Sequence, residues 1–206
     1  MYHGERFNSI SHLVGTVAAA AGLAGLLYLS IKQGDPWKIV SFSLYGATLF
    51  LLYLSSTLFH SIREGRIKDF FQKLDHLAIY LLIAGSYTPF TLVALDSAWG
   101  LPLFITVWGL AILGIIIDVF SRSEQRVIPI AIYLIMGWLI IVAIYPLSQS
   151  LPAGGIAWLV CGGLFYTTGL VFYIKEDVIR HGHGIWHLFV LAGSGSHYIV
   201  VAGYIA

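Results

Sequence analysis

The stretch His181-Gly182-His183-Gly184-Ile185-Trp186-His187 leads into the last apolar run of the chain, which extends from residue 185 to residue 206. A run of about 20 apolar residues can cross the hydrocarbon core of a bilayer as a helix. In a helix, His183 and His187 lie one turn apart on the same face, so both side chains can reach one metal ion. A zinc site normally takes three or four protein ligands. The sequence must therefore supply at least one more ligand.

The composition is that of an integral membrane protein. Of the 206 residues, 58% are hydrophobic and 10% are charged, whereas about 25% are charged in a typical soluble domain. Membrane lipids are therefore the expected surroundings. The formal net charge of +1 excludes a nucleic-acid partner bound by electrostatic attraction.

Seven apolar runs predict an all-α bundle of seven transmembrane helices. Helices are expected because the bilayer offers no water to satisfy backbone polar groups, and the runs are too long for the strands of a barrel. The connections are short, so residues 1–206 are expected to form one domain. The first break, Gly34-Asp35-Pro36, is typical of a turn. The predicted runs are 10–31, 38–59, 76–95, 99–119, 127–147, 154–174 and 185–206.

The basic residues predict the orientation of the bundle. With the N-terminus inside, only Lys32 and Lys38 of the 11 lysines and arginines fall on the outer side. Cytoplasmic loops carry the excess of Lys and Arg in membrane proteins. We therefore expect a cytoplasmic N-terminus and a C-terminus outside.

The longest inner connection, residues 62–74, has apolar residues at helical spacing with basic residues between them. This pattern predicts a short helix lying in the cytoplasmic interface. A solvated basic loop is the alternative interpretation.

With this topology, His60 at the end of the second run lies at the same membrane face as His183 and His187. It is the candidate third metal ligand. Asp75, at the start of the third run, lies at the same depth, and Ser56 precedes His60 by one helical turn. Ionisable residues in or beside membrane spans tend to face the bundle interior and mark function.

The other polar residues have simpler interpretations. Asp75 could equally be a carboxylate that the dipole of its helix favours. Residues His12 and His197 lie deeper in their runs, and we expect them to support the metal ligands or to form interhelical hydrogen bonds. We expect Asp118 to pair with Arg122 one turn away. The remaining histidines are expected to extend their polar ends to the membrane surface: His3, His76 and His181.

Several of these motifs occur together in a known family. The series Ser56-x-x-x-His60, Asp75, Ser86-Tyr87-Thr88-Pro89 and His183-x-x-x-His187 resembles the hemolysin III proteins of bacteria. The opening Gly4-Glu5-Arg6-Phe7-Asn8-Ser9-Ile10-Ser11-His12 looks like the N-terminal motif of that family. These proteins belong with the adiponectin and progestin receptors in one seven-helix family. The resemblance covers nearly the whole chain and implies a location in the bacterial plasma membrane.

The resemblance implies a Zn²⁺ ion bound by His60, His183 and His187, with Ser56 and Asp75 near a water on that ion. Three imidazoles leave one position open, which is typical of catalytic zinc sites. In this arrangement Asp75 would be a general base and Ser56 would orient the water or stabilise an oxyanion. Related intramembrane ceramide hydrolases look similar in their histidine, serine and aspartate set. Hydrolysis of an amide or ester in a ceramide-like or other acyl lipid is the leading expectation.

Two other functions remain open at this point. The zinc could be structural, in a receptor or sensor that adjusts membrane lipid composition. The family name suggests cytolysis by a pore, but the predicted spans carry no repeated polar face, which argues against a pore. The sequence leaves the substrate, the oligomeric state and catalytic turnover undetermined.

Overall fold

The computed structural model describes residues 4–121 and 126–206. Within these ranges, seven helices are long and apolar enough to cross a membrane, one for each predicted run. Which end of the bundle faces the cytoplasm stays a prediction. In chain order the helices are α1 (Arg6–Gln33), α2 (Pro36–Ser61), α3 (Arg66–Ala94), α4 (Ser97–Phe120), α5 (Val127–Ser150), α6 (Ala153–Ile174) and α7 (Gly182–Ile205).

The helix ends follow from local chemistry. Gly34 ends α1 with a φ of 68°, in the left-handed region that glycine adopts without strain. The Asp35 side chain then accepts hydrogen bonds from two backbone N–H groups in the first turn of α2, and Pro36 occupies the first helical position. Asp96 caps the start of α4 in the same way. The predicted break after α1 is therefore confirmed.

Helix α3 begins ten residues earlier than its apolar run. The predicted separate helix in the interface is wrong, because residues 66–74 form the first turns of α3 itself. Gly65, with a φ of 143°, precedes the helix. No glycine or proline follows before Gly85, so nothing in the sequence stops the helix where its composition changes from basic to apolar.

Helix α5 carries an irregular turn partway along its length. Its α-helix gives way to a 3₁₀ turn at Leu139–Ala143. The Tyr87 hydroxyl, from α3, accepts a hydrogen bond from the Ile140 N–H at 2.8 Å and donates to the Met136 carbonyl at 2.7 Å. A side chain inserted between backbone groups is a recognised cause of such irregularity. Tyr87 therefore fixes the local shape of α5.

The bundle buries polar side chains within an apolar core and presents apolar side chains outward. Helices α2 and α3 are the most buried of the seven, and α4 and α5 are the most exposed. Large apolar side chains such as Ile105 and Val142 face outward, as a bilayer requires. Buried polar side chains include Ser9, Ser55, Ser56, Thr57, His60, Thr88, His187 and Ser196.

An ion pair joins α4 to the start of α5. Asp118 pairs with Arg126 at 3.0 Å, and the predicted partner Arg122 lies outside the described residues. Arg126 also donates a hydrogen bond to the Tyr133 hydroxyl, which donates to the His76 backbone carbonyl. These contacts connect α3, α4 and α5 at one end of the bundle.

Candidate metal centre

Three histidines meet at one end of the bundle. His60 comes from the last turn of α2, and His183 and His187 come from the first turns of α7. One ligand atom from each lies within 4.8 Å of the other two. The ring centroids are separated by 4.9 Å for His60 and His183, 5.0 Å for His60 and His187, and 4.7 Å for His183 and His187. The structure therefore brings the three predicted ligands together.

The Nδ1 atom of each ring has a hydrogen-bond partner outside the three-histidine cluster. The Nδ1–H of His60 donates to Oε2 of Glu5 at 2.7 Å, and that of His183 donates to Oε2 of Glu176 at 2.5 Å. The Nδ1 atom of His187 contacts the backbone carbonyl of Asn8 at 3.2 Å, and also the Ser11 hydroxyl. Because carboxylates and carbonyls only accept, Nδ1 carries the proton in each ring and Nε2 keeps a free lone pair.

The Nε2 atoms of His60 and His183 are buried and have no hydrogen-bond partner among the described residues. Buried polar atoms are nearly always paired, so such atoms call for an explanation. A metal ion between the rings explains them. Histidine ligands whose other nitrogen donates to a carboxylate or carbonyl are typical of metal sites. The residues therefore fit a metal ion, and three imidazoles suit zinc and other transition metals.

The start of α1 contacts two of the three candidate ligands. Glu5, which precedes α1, accepts from both His60 and the side chain of Asn8. The hydrogen bond from His60 lowers the pKa of Glu5 to about 2, so this carboxylate remains charged at neutral pH. The backbone carbonyl of Asn8 accepts from His187. Residues 5–11 thus contact two of the three histidines.

The sequence analysis did not predict the residues that hydrogen-bond the Nδ1 atoms of the histidines. Three of them, Glu5, Asn8 and Ser11, nevertheless belong to the N-terminal motif of residues 4–12. Their spacing of three residues places them on one helix face. That periodicity could have indicated that they act together. Glu176, between α6 and α7, carried no comparable signal.

A cavity lies beside the histidines. Its wall includes His183 and His187. It continues along α3 from Asp75 to Tyr87 and along α7 from His183 to His197. Most of the residues between these ends are apolar, among them Ile79, Leu82, Ile83, Leu134, Leu170 and Val190.

Ser56 and Asp75 line the same cavity at the histidine end. Ser56 is buried and close enough to Asp75 to interact with its carboxyl group. Its hydroxyl nevertheless makes no hydrogen bond of normal geometry in the described part of the chain. The two residues proposed for catalysis therefore face the space beside the metal ligands.

The other histidines differ in their surroundings. The His12 ring stacks on His187 with centroids 3.5 Å apart, and neither of its nitrogens has a partner among the described residues. It supports a ligand by packing, without the expected hydrogen bond. The expected interhelical hydrogen bond is found at His197, which contacts the Leu159 carbonyl.

The prediction that His76 extends to the membrane surface is wrong, because its side chain lines the cavity. Asp75 and His76 are neighbours on α3, and both line this cavity. His181 is exposed, as expected, and His3 lies outside the described residues.

Comparison with known proteins identifies the family. The family model described as "Haemolysin-III related" matches residues 1–198. The chain belongs to this haemolysin-III related family. The resemblance inferred from the sequence motifs is thereby confirmed.

Relatives of the chain occur in bacteria and in animals. The "Hemolysin-3 homolog" of Bacillus subtilis (strain 168) is 42% identical, over 97% of this chain and 93% of its own length. The "Hemolysin-3" of Bacillus cereus is 43% identical, over 98% and 91% of the two chains. The "Monocyte to macrophage differentiation factor" of Homo sapiens is 29% identical, over 96% and 83%. No solved structure matches the chain.

Proposed function

We propose that this haemolysin-III family protein is a zinc-dependent hydrolase that cleaves an amide or ester bond in an acyl lipid of the membrane. One observation carries the proposal: the free Nε2 lone pairs of the histidine cluster lie next to a cavity that also exposes Asp75 and Ser56. A metal ion, a carboxylate and a hydroxyl group are a sufficient set for hydrolysis.

A zinc ion held by three neutral imidazoles supplies a Lewis acid that polarises a carbonyl group and activates water. The protein's own side chains provide the remaining functions. Asp75 accepts the proton of the attacking water and passes it to the leaving amine or alcohol. Ser56 donates a hydrogen bond to the carbonyl oxygen as negative charge develops on it.

The shape of the cavity supports an acyl lipid as the substrate. Polar groups gather at the histidine end, and the wall beyond them is largely apolar. A lipid can place its carbonyl group beside the histidines and its hydrocarbon chain along Ile79, Ile83 and Val190. The chain comes from the bilayer, so the apolar wall replaces one apolar environment with another and selects the chain by fit. Ceramide-like amides and simple acyl esters both meet these requirements.

A structural metal in a membrane sensor is the second candidate function, and it is supported by the positions of the ligands in the chain. They come from α2 and α7, and their hydrogen-bond partners come from the start of α1 and from the α6–α7 connection. A metal ion would therefore join distant parts of the chain, as a structural metal does in a membrane sensor. The name of the Bacillus cereus relative points to a third function, cytolysis. The cluster of three histidines supports cytolysis less than it supports a metal-dependent function.

The catalytic and structural roles are separated by Asp75→Asn. We expect the zinc-loaded parent, purified in detergent, to release fatty acid from ceramide or an acyl ester. Asp75→Asn should bind zinc normally and hydrolyse about 100-fold or more slowly. The matched control is Asp69→Asn, an exposed aspartate on the same helix, which should leave the rate unchanged. If Asp75→Asn hydrolyses as fast as the parent, Asp75 is not the base. If the zinc-loaded parent hydrolyses neither substrate, the structural role is favoured.

A further inference from the structure

The end of the cavity far from the histidine cluster contains a second polar site. It is lined by Ser86 and Tyr87 of α3, Gly137 of α5 and His197 of α7. A smaller adjoining cavity has the same four residues in its wall. Ser86 and Tyr87 belong to a sequence motif for which the proposed hydrolysis provides no role.

His197 lines this site and carries a buried hydrogen-bond acceptor without a partner in the described part of the chain. Its Nε2 lies 3.2 Å from the Leu159 backbone carbonyl, and because a carbonyl only accepts, Nε2 carries the ring proton. In the neutral ring Nδ1 is then an acceptor. Nδ1 is buried and finds no donor within the described ranges 4–121 and 126–206.

Close packing against α6 holds the imidazole ring of His197 with Nε2 toward the Leu159 carbonyl. A Cβ atom added at Gly162 of α6 would collide with Cδ2 and Nε2 of His197. The Nε2 edge therefore faces α6 at close range, and Nδ1 remains on another edge. Ser86 adds a second oxygen at the same end, because its hydroxyl donates to the Ile83 carbonyl at 2.8 Å and its lone pairs can still accept.

The two polar ends of the cavity lie a similar distance apart on both helices. His197 follows His187 by ten residues and Ser86 follows Asp75 by eleven, which corresponds to about 15 Å at 1.5 Å per residue. The wall between them includes Ile79, Leu82 and Val190. A ligand that fits both ends has polar groups joined by a hydrocarbon segment of that length.

We propose that this far end, formed by His197 and Ser86, binds a hydroxyl group carried in the middle of an acyl chain. The proposal rests on the proposed function in that the carbonyl end of the same lipid lies at the histidine cluster. An O–H group supplies the donor that Nδ1 lacks, whereas a ketone or a carboxylate would place an acceptor against an acceptor. The site therefore favours hydroxylated acyl chains over plain ones.

The test measures competition against radiolabelled stearic acid on the zinc-loaded full chain in detergent. Stearic acid hydroxylated within its chain, about twelve carbons from the carboxyl group to match the span of about 15 Å, should displace the label at a concentration about threefold to tenfold lower than stearic acid itself, the range expected for one buried hydrogen bond. Stearic acid hydroxylated next to its carboxyl group should show no such gain. His197→Phe should remove the preference for the mid-chain hydroxyl group.

Each outcome decides between the two proposals. Equal binding of stearic acid and the mid-chain hydroxylated acid by the parent overturns the second site. It leaves the acyl-lipid proposal intact, because both acids still bind. A preference that survives in His197→Phe also overturns it. If neither acid binds, the acyl-lipid proposal is lost together with the second site. Should His197→Phe fail to fold, the comparison of hydroxyl positions in the parent alone decides the question.

Discussion

Glu5 accepts the Nδ1 hydrogen bond of His60 at 2.7 Å, although 55 positions separate the two residues in the chain. The contact connects the residue that precedes α1 to the last turn of α2. It fixes the tautomer in which Nε2 of His60 has a lone pair directed at the other two histidines. Glu5 is therefore part of the metal site without contacting the metal position itself.

The first prediction concerns this carboxylate. Glu5→Gln should weaken zinc binding about 10-fold to 100-fold, because a neutral amide orients the imidazole less well and makes it less basic. The dissociation constant can be measured by competition with a chromogenic chelator. Glu64→Gln, at an exposed glutamate between α2 and α3, is the control and should bind zinc like the parent. Equal affinity in all three proteins would show that Glu5 has no role in the site.

The second prediction concerns the contact between α7 and α1. A Cβ atom at Gly184 would collide with the Phe7 ring and lie 2.9 Å from Oδ1 of Asn8. Gly184→Ala should therefore destabilise the protein by about 1–3 kcal/mol and displace Asn8 from His187. Thermal unfolding in detergent measures the effect.

The control for that variant lies on the same helix. A Cβ atom at Gly195 meets nothing within 4 Å, so Gly195→Ala should leave the unfolding temperature unchanged or raise it, since alanine favours the helix by about 1 kcal/mol over glycine. If both variants unfold at the same temperature, the close contact at Gly184 does not exist in solution.

The third prediction concerns removal of the metal. An ion that binds only the folded state stabilises it by about 2.7 kcal/mol when its free concentration is 100 times the dissociation constant. Treatment with a chelator should therefore lower the unfolding temperature of the parent, and added zinc should restore it. His187→Ala should show neither response. If neither the chelator nor added zinc changes the unfolding temperature of the parent, the result argues against a bound metal.

Much of the fold could be predicted from the sequence because a bilayer leaves few alternatives. Each apolar run became one helix, and the Asp35 and Asp96 caps could be anticipated from residue type. The start of α3 could not be predicted from hydropathy. Its first turns are amphipathic and basic, and a helix continues until something in its sequence stops it.

The metal ligands could be predicted because they depend on helical spacing and on the number of membrane crossings. His183 and His187 are local neighbours on one helix, and His60 followed from the count of membrane crossings. The partners of their Nδ1 atoms come from tertiary structure: Asn8 and His187 are 179 positions apart. Asp118 likewise pairs with Arg126 eight positions away, a separation that helical spacing does not predict.

The central claim is that His60, His183 and His187 bind one metal ion. It is tested most directly by elemental analysis of the detergent-purified protein, comparing the parent with His60→Ala, His187→Ala and the exposed control His181→Ala. We predict about one zinc per chain in the parent and in His181→Ala, and none in the other two variants while they remain folded. A folded parent without metal, or a parent whose zinc persists in His60→Ala and His187→Ala, would contradict the claim.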